Sequence, residues 1–212
     1  MSHPTAEFFE LTSLHMSEQE ILDLLKEPVE YVQFTLRDHA PMKALVRAMR
    51  KTSDAWARGT LVSVINMRYK AARSAVPALI LYLDDPDPRV RCAAADVLGK
   101  IRHPVAGPAL AERWPTETDN AVRGMYAAAI GSTGYRKAIS VLDDALDDPD
   151  PGVRQGSAWA LGELRLASRS QALQRRRLEE PDDYVKQTIS DALRKIAASS
   201  STSDSFGSEA KC

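Results

Sequence analysis

At five places along this chain, at near-regular intervals, an aspartate is followed four residues later by a basic side chain: Asp54/Arg58, Asp87/Arg91, Asp119/Arg123, Asp150/Arg154 and Asp182/Lys186. Six residues before the basic positions stand Thr52, Asp85, Glu117, Asp148 and Glu180, of which all but the first are acidic. Rows of carboxylates and cations could share protons in acid–base catalysis, hold an anionic ligand on the cations, or pair with one another and brace the chain. The carboxylates all fall in predicted turns and none is set apart from the rest, so no catalytic acid/base pair can be singled out. The four histidines, His3, His15, His39 and His103, share no helix face, and none adjoins a glutamate. There is no Cys-x-x-Cys, no phosphate-binding glycine loop and no nucleophile elbow. The sequence therefore assigns no catalytic, cofactor-binding or metal-binding residues.

The elements that carry these rows recur. Successive aspartates of the pairs are 33, 32, 31 and 32 residues apart, a period that marks a stacked helical repeat. Residues 84–91 read Asp-Asp-Pro-Asp-Pro-Arg-Val-Arg and residues 147–154 read Asp-Asp-Pro-Asp-Pro-Gly-Val-Arg, with looser copies at 51–58, 116–123 and 179–186. Asp54, Asp87, Asp119, Asp150 and Asp182 are suited to N-caps, because a carboxylate there can accept the free N–H groups of the next turn. Pro88 and Pro151 fit the first helical position. Behind each cap runs an apolar face at helical spacing: Ala57, Leu61, Val64, Ile65; Val90, Ala94, Val97, Leu98, Ile101; Val122, Tyr126, Ala129, Ile130; Val153, Ala160, Leu161, Leu164; and Val185, Ile189, Ala192, Leu193, Ile196. Gly99, Gly131 and Gly162 are expected to end or loosen these helices near a C-cap. A further apolar stretch precedes each, at 41–49, 76–83, 108–114, 138–146 and 172–178. The unit is a helix, an acidic turn and a second helix, and neighbours must stack to cover one another's apolar faces.

The Asp-Pro-x-Val-Arg-x-x-Ala-x-x-x-Leu-Gly pattern resembles the HEAT repeats of the short bacterial type, known as phycobilisome-lyase HEAT-like repeats. Residues 84–101 and 147–164 carry the pattern best, and the resemblance spans about 40–197. It implies an all-α fold, a right-handed α-solenoid of about five helical hairpins (40–68, 69–101, 102–133, 134–164 and 165–197), with the second helices lining a concave side. It also implies a structural ladder in which turn acids contact arginines of neighbouring repeats, here Asp85, Arg91, Glu117, Arg123, Asp148, Arg154, Glu180 and Lys186. Thr52 breaks the acidic column, so the first junction is expected to be weaker. Some HEAT-like enzymes bind iron through His-Glu pairs on successive repeats, and those pairs are absent from this sequence.

The flanks read differently. Ser17-Glu18-Gln19-Glu20 opens an amphipathic helix with a capping box and Pro28 ends it; with a second helical stretch at 30–36 it forms a capping element for the array. Phe8, Phe9, Leu11 and Leu14 form an apolar cluster that either packs on this cap or serves as a partner-binding arm. Residues 1–39 are thus an arm and cap. Residues 198–212 are serine-rich and are expected to be disordered.

On a helical wheel the positions opposite the apolar arc are Gly59, Cys92, Gly124, Gln155 and Gln187, and Ser63, Asp96, Ala128, Trp159 and Asp191. Trp159 is the large aromatic in a row of small or polar residues, a candidate binding anchor unless it leans on the neighbouring repeat. Trp159, Gln155, Asp96, Cys92 and Asp191 are the candidate partner-binding residues. Trp56 and Trp114 are expected to pack. Arg175-Arg176-Arg177 reads as a solvated face that could hold an acidic partner.

A net charge of -1 leaves no electrostatic footprint for duplex nucleic acid or an anionic membrane. The two cysteines, Cys92 and Cys212, make no disulfide framework. No segment reaches the roughly 18 apolar residues of a membrane span, and the N-terminus lacks a basic stretch followed by an apolar run. The expected location is cytoplasmic. These features favour a protein-interaction or assembly scaffold without a catalytic centre, its partner another protein such as a phycobiliprotein or a second HEAT-repeat subunit. The resemblance implies an alternative, a phycobilin lyase or lyase-like subunit that binds a bilin. A base-repair enzyme on this scaffold would need a basic groove, which the charge balance disfavours.

Overall fold

The computed structural model describes residues 16–27 and 29–205. His3, His15, Pro28, the cluster of Phe8, Phe9, Leu11 and Leu14, and residues 206–212 with Cys212 lie outside the described residues. Among the described residues the regular structure is helical throughout, with no strand.

The turn aspartates start the second helices. Asp54 accepts the Ala57 N–H at 2.7 Å, Asp119 that of Val122 at 3.1 Å, and Asp150 those of Gly152 and Val153 at 2.8 and 3.2 Å. Asp87 accepts from Arg89 N–H at 2.8 Å, and Asp182 from Tyr184 and Val185 at 2.9 and 3.0 Å. Each cap satisfies donors that the helix leaves free, a contribution of about 1 kcal/mol.

The chain divides into two compact units, 1–97 and 98–212. In the first, Ser17 and Glu20 close a capping box over α1 (Glu18–Leu24), which is followed by α2 (Val29–His39). Then come α3 (Met42–Lys51) and α4 (Ala55–Met67), and a 3₁₀ segment (Tyr69–Ala75) leading into α5 (Val76–Leu81). Helix α1 packs on α3 and α2 on α4, so the two N-terminal helices cover the first hairpin as a further hairpin would. Ile21, Leu36, Leu45, Met49, Leu61, Ile65 and Leu79 fill this core. Helix α6 (Pro88–Ile101) carries the boundary between the units.

The second unit contains α7 (Ala106–Arg113), α8 (Asn120–Thr133), α9 (Ile139–Ala145), α10 (Pro151–Leu164), α11 (Ser170–Glu179) and α12 (Asp183–Ser205). Its spine is the row of second helices: α10 packs along α8 on one side and α12 on the other. Val122, Tyr126, Ile130, Val153, Leu161, Val185, Ile189 and Ile196 are buried along it.

Two expectations about helix ends are corrected. Gly99, Gly131 and Gly162 do not end their helices. They are buried within α6, α8 and α10, and a β-carbon on each would press on the backbone of Ala129, Ala160 and Ala192 respectively. These glycines are contact points that bring one second helix against the next. The left-handed residue that ends each helix comes three positions later, at Arg102 (φ 54°), Gly134 (φ 74°) and Arg165 (φ 50°). At the C-terminus, α12 continues to Ser205, beyond the expected end of ordered structure at 197. Extending an existing helix is far easier than starting one, and Ser199 Oγ donates back to the Ile196 carbonyl at 2.7 Å.

Candidate functional site

The ionic rows resolve into a directed ladder. Each described step runs from an arginine to the turn acid of the following hairpin. Arg58 binds Asp85 through Nε and Nη2 at 2.6 and 3.0 Å; Arg123 reaches Asp148 at 2.6 Å; Arg154 binds Glu180 at 2.9 and 2.6 Å. The arginines also tie down turn carbonyls: Arg58 that of Ser53, Arg91 those of Asp85 and Pro86, and Arg154 those of Asp148 and Pro149. Each acid in turn accepts the N–H of the N-cap aspartate two residues on: Asp85 from Asp87, Glu117 from Asp119, Asp148 from Asp150 and Glu180 from Asp182, at 2.9 to 3.0 Å. The acid therefore fixes its own turn and receives the preceding hairpin. Hydrogen bonds from Arg154 hold the Glu180 carboxyl down at a pKa of about 2.

This direction corrects the expectation of a weak first junction. Thr52 stands where an acid would receive an arginine from upstream, and its hydroxyl still accepts the Asp54 N–H at 3.2 Å. The junction between the first and second repeats is made instead by Arg58 and Asp85, whose side chains are largely buried. Arg58 was missed as a ladder member because acid and base were counted within one repeat. Lys186, at the end of the column, pairs with Asp183 of its own helix at 3.4 Å.

The exposed face of the second unit carries a groove of about 400 Å³ between α8 and α10, lined by Asn120, Ala121, Gly124, Met125, Ala128, Gly152, Gln155, Gly156 and Trp159. Three glycines make its floor. A β-carbon on Gly124 would meet the Gly152 carbonyl oxygen, and one on Gly156 would meet that of Gly124. Trp159 stands half-buried beside this floor, with the Lys195 ammonium of α12 5.5 Å from its ring centroid. Lys195 is itself held by Glu163 at 2.6 Å. Asn120 closes the other end by donating to Asp150 at 3.1 Å.

Of the candidate partner-binding residues, Gln155 and Trp159 meet in this groove. Asp191 lies on α12, where it accepts from Gln187 at 3.0 Å and pairs with Arg194. Cys92, half-buried, and Asp96, which accepts from Asn66 at 3.1 Å, belong to the first unit. Gly124 and Ala128 were on the predicted face but not read as groove residues; Gly152, Gly156 and Met125 were missed. Trp114 packs, as a buried ring 5.1 Å from the Arg123 guanidinium. Trp56 does not: it is 43 % exposed, because it follows its N-cap by two residues and points away from the Ala57–Leu61 face. Two of the three arginines of the run are engaged within the chain, Arg175 with Asp147 at 3.1 Å and Arg176 with Glu180 at 3.0 Å, and Arg177 is exposed. No group of metal-ligating side chains occurs among the described residues, and no described helix is long and apolar enough to cross a membrane.

A family model described as HEAT repeats matches residues 42–129 and 115–194. The chain belongs to the HEAT-repeat family. Its fold is similar to that of the complex of CpcE and CpcF of phycocyanin lyase from Nostoc sp. PCC7120, with a TM-score of 0.62 and 20 % identity over 86 % of this chain and 77 % of that one. It is also similar to a designed armadillo repeat protein in complex with the peptide (KR)4, with a TM-score of 0.57 and 16 % identity over 84 % of this chain and 91 % of the other. No curated protein sequence matches it. At these identities the likeness establishes the fold, an all-α solenoid of HEAT/armadillo type.

Proposed function

We propose that this HEAT-repeat chain is a non-catalytic scaffold that binds another protein on the second-helix face of its second unit, with Trp159 as the anchor. The groove between α8 and α10 carries the reading. Its floor is bare backbone at Gly124, Gly152 and Gly156, where α8 and α10 touch, so a partner side chain can lie over the seam between the two helices and against a half-exposed indole. Tryptophan is among the residues most enriched at the centres of binding energy in protein interfaces. The similar solved structures are complexes with a second protein subunit and with a peptide, which agrees with this use of the scaffold.

The test replaces Gln155 with a photocrosslinking benzophenone residue in the full-length chain, in cells that produce the protein. The expected result is an adduct to one protein, whose purified form binds the wild type and binds Trp159→Ala at least tenfold more weakly. Equal affinity for the two forms rejects the anchor.

A second reading is that the same groove handles a bilin, with Lys195 near Trp159 as a cation for a propionate. Its support is the fold likeness to the phycocyanin lyase complex and the pairing of an aromatic wall with an ammonium. An unchanged bilin absorption spectrum in the presence of micromolar protein rejects it.

A further inference from the structure

The net charge of -1 conceals a separation of charge along the chain. Residues 39–83 contain eight lysines and arginines and one acid, Asp54, whereas residues 16–38 contain six acids and two bases. Three of the eight bases are engaged inside the first unit. Arg58 is buried against Asp85, Lys51 reaches Glu18 of α1 at 2.5 Å, and the half-buried Arg68 donates to the Ala40 carbonyl. The other five, Lys43, Arg47, Arg50, Lys70 and Arg73, are exposed, and none forms an ion pair with a described residue.

The fold gathers these five on one surface. Lys43, Arg47 and Arg50 recur at helical spacing on α3, opposite its buried Ala44, Leu45, Ala48 and Met49. Lys70 and Arg73 align along the 3₁₀ segment Tyr69–Ala75, where side chains three apart eclipse; Ala72 and Ala75 are its buried residues. That segment packs against α3 and leads into α5, which also packs on α3. The two rows are about 10 Å and about 6 Å long. Beyond Arg73, α5 extends the surface with the exposed Pro77 and Leu81, the leucine at 58 % exposure.

Cations held side by side repel one another, and carboxylates placed between them relieve that repulsion. Helix α3 already takes an acidic helix on another side: α1, with Glu18, Glu20 and Asp23, packs on it. Extended polyanions fit less well. A duplex or an anionic membrane presents charge well beyond the patch, where the acids of α1 repel it. The exposed aromatics of this unit, Tyr31 and Trp56, lie on α2 and α4, so among the described residues the patch has no stacking platform for single-stranded bases.

We propose that this face of the first unit, built by α3, the 3₁₀ segment and α5, docks a short acidic segment of another protein. Its carboxylates meet Lys43, Arg47 and Arg50 on one row and Lys70 and Arg73 on the other, and an apolar side chain of the segment covers Leu81. The face shares no helix with the groove beside Trp159 and does not depend on it.

The test places the benzophenone residue at the exposed Ser74, next to Arg73, in the full-length chain in cells that produce it, and maps the adducted peptide by mass spectrometry. The expected adduct lies on a segment of another protein with at least about four acids in twelve residues. A synthetic peptide of that segment is expected to bind the purified chain. Lys43→Glu/Arg47→Glu/Lys70→Glu is expected to weaken that binding at least tenfold while melting as the wild type does, and the triple glutamine variant to lie between the two. Replacing the peptide's acids with lysine is expected to restore binding to the charge-reversed chain. Trp159→Ala is expected to leave the peptide's affinity unchanged, so the face and the groove can fail separately. The absence of any adduct, an adduct to a second copy or to a segment without the acids, equal affinity for the charge variants, or failure of the charge swap to rescue overturns the proposal. So does tighter binding of the purified chain, at physiological salt, to a DNA duplex or to phosphatidylserine vesicles than to the peptide.

Discussion

Arg154 grips the Glu180 carboxylate of the following hairpin through Nε and Nη2, and Arg176 adds two further hydrogen bonds to it from within that hairpin. The acid is almost wholly buried and its pKa falls from 4.5 to about 2. A carboxyl whose folded-state pKa is depressed stabilises the fold fully above its unfolded value. That contribution is lost as pH falls through the window between about 4.5 and about 2. Thermal melts followed by circular dichroism should therefore show a steep fall in Tm across this window for the wild type. Glu180→Gln should melt lower at pH 7, by the equivalent of about 3 kcal/mol, because it leaves a buried guanidinium without its counter-charge. Its Tm should also fall less steeply below pH 4.5, and parallel pH profiles would contradict the assignment.

The polarity of the ladder predicts which substitutions matter at the first repeat. Asp85 receives Arg58 and is buried, so Asp85→Asn should cost about 3 kcal/mol. Thr52 is placed to cap Asp54 and no ladder arginine precedes it, so Thr52→Asp should change stability by less than about 0.5 kcal/mol. Urea titrations of the two variants decide the matter. A large gain in Thr52→Asp would mean that the ladder runs in the opposite direction.

The hairpins and their caps were legible because each depends on a few adjacent residues: an aspartate, a proline and an apolar residue every third or fourth place. Whatever depends on two hairpins at once was not. The acids and bases were seen, but their spacing is the same whether an arginine reaches backward or forward, so Thr52 was blamed for a junction that Arg58 makes. Gly131 and Gly162 lie close enough to a helix end to resemble C-caps. Their contacts with Ala160 and Ala192 exist only once neighbouring helices are laid side by side. The groove was half legible. Gln155 and Trp159 share a helix face one turn apart, yet the space beside them comes from Gly124, Gly152 and Gly156, which lie on two helices. A signal was present across the two columns, where the small residues Gly124 and Ala128 precede Gln155 and Trp159.

The glycines give a contrast that separates packing from backbone preference. Alanine is favoured over glycine within a helix by about 1 kcal/mol. A β-carbon at Gly59, inside α4, meets nothing within 4 Å, so Gly59→Ala should raise stability by about that amount. At Gly162 the added carbon would lie 2.7 Å from the Ala192 Cα, which is backbone and cannot step aside alone. The strain of overpacking, about 1–3 kcal/mol, should exceed the propensity gain. Gly162→Ala should therefore unfold at lower denaturant concentration, and if both variants were stabilised the close α10–α12 contact would be refuted.

Trp159 is the residue at which stability and binding should come apart. Its ring is half-buried, and its stacking partner Lys195 has Glu163 as a second attachment. A partly exposed cation–π contact contributes about 0.5–1 kcal/mol, so Trp159→Ala should keep a cooperative melt with a cost of about 1–2 kcal/mol, including the lost partial burial. Binding should suffer far more, because the same ring supplies the aromatic wall of the groove. Trp159→Phe should recover part of the affinity, since a smaller ring can still lie against the Gly124–Gly156 floor. Measured by calorimetry against the crosslinked partner, the expected order is wild type, then Phe, then Ala. A Trp159→Ala protein that loses its cooperative transition would instead make the indole a core residue, and the weakened binding would follow from unfolding.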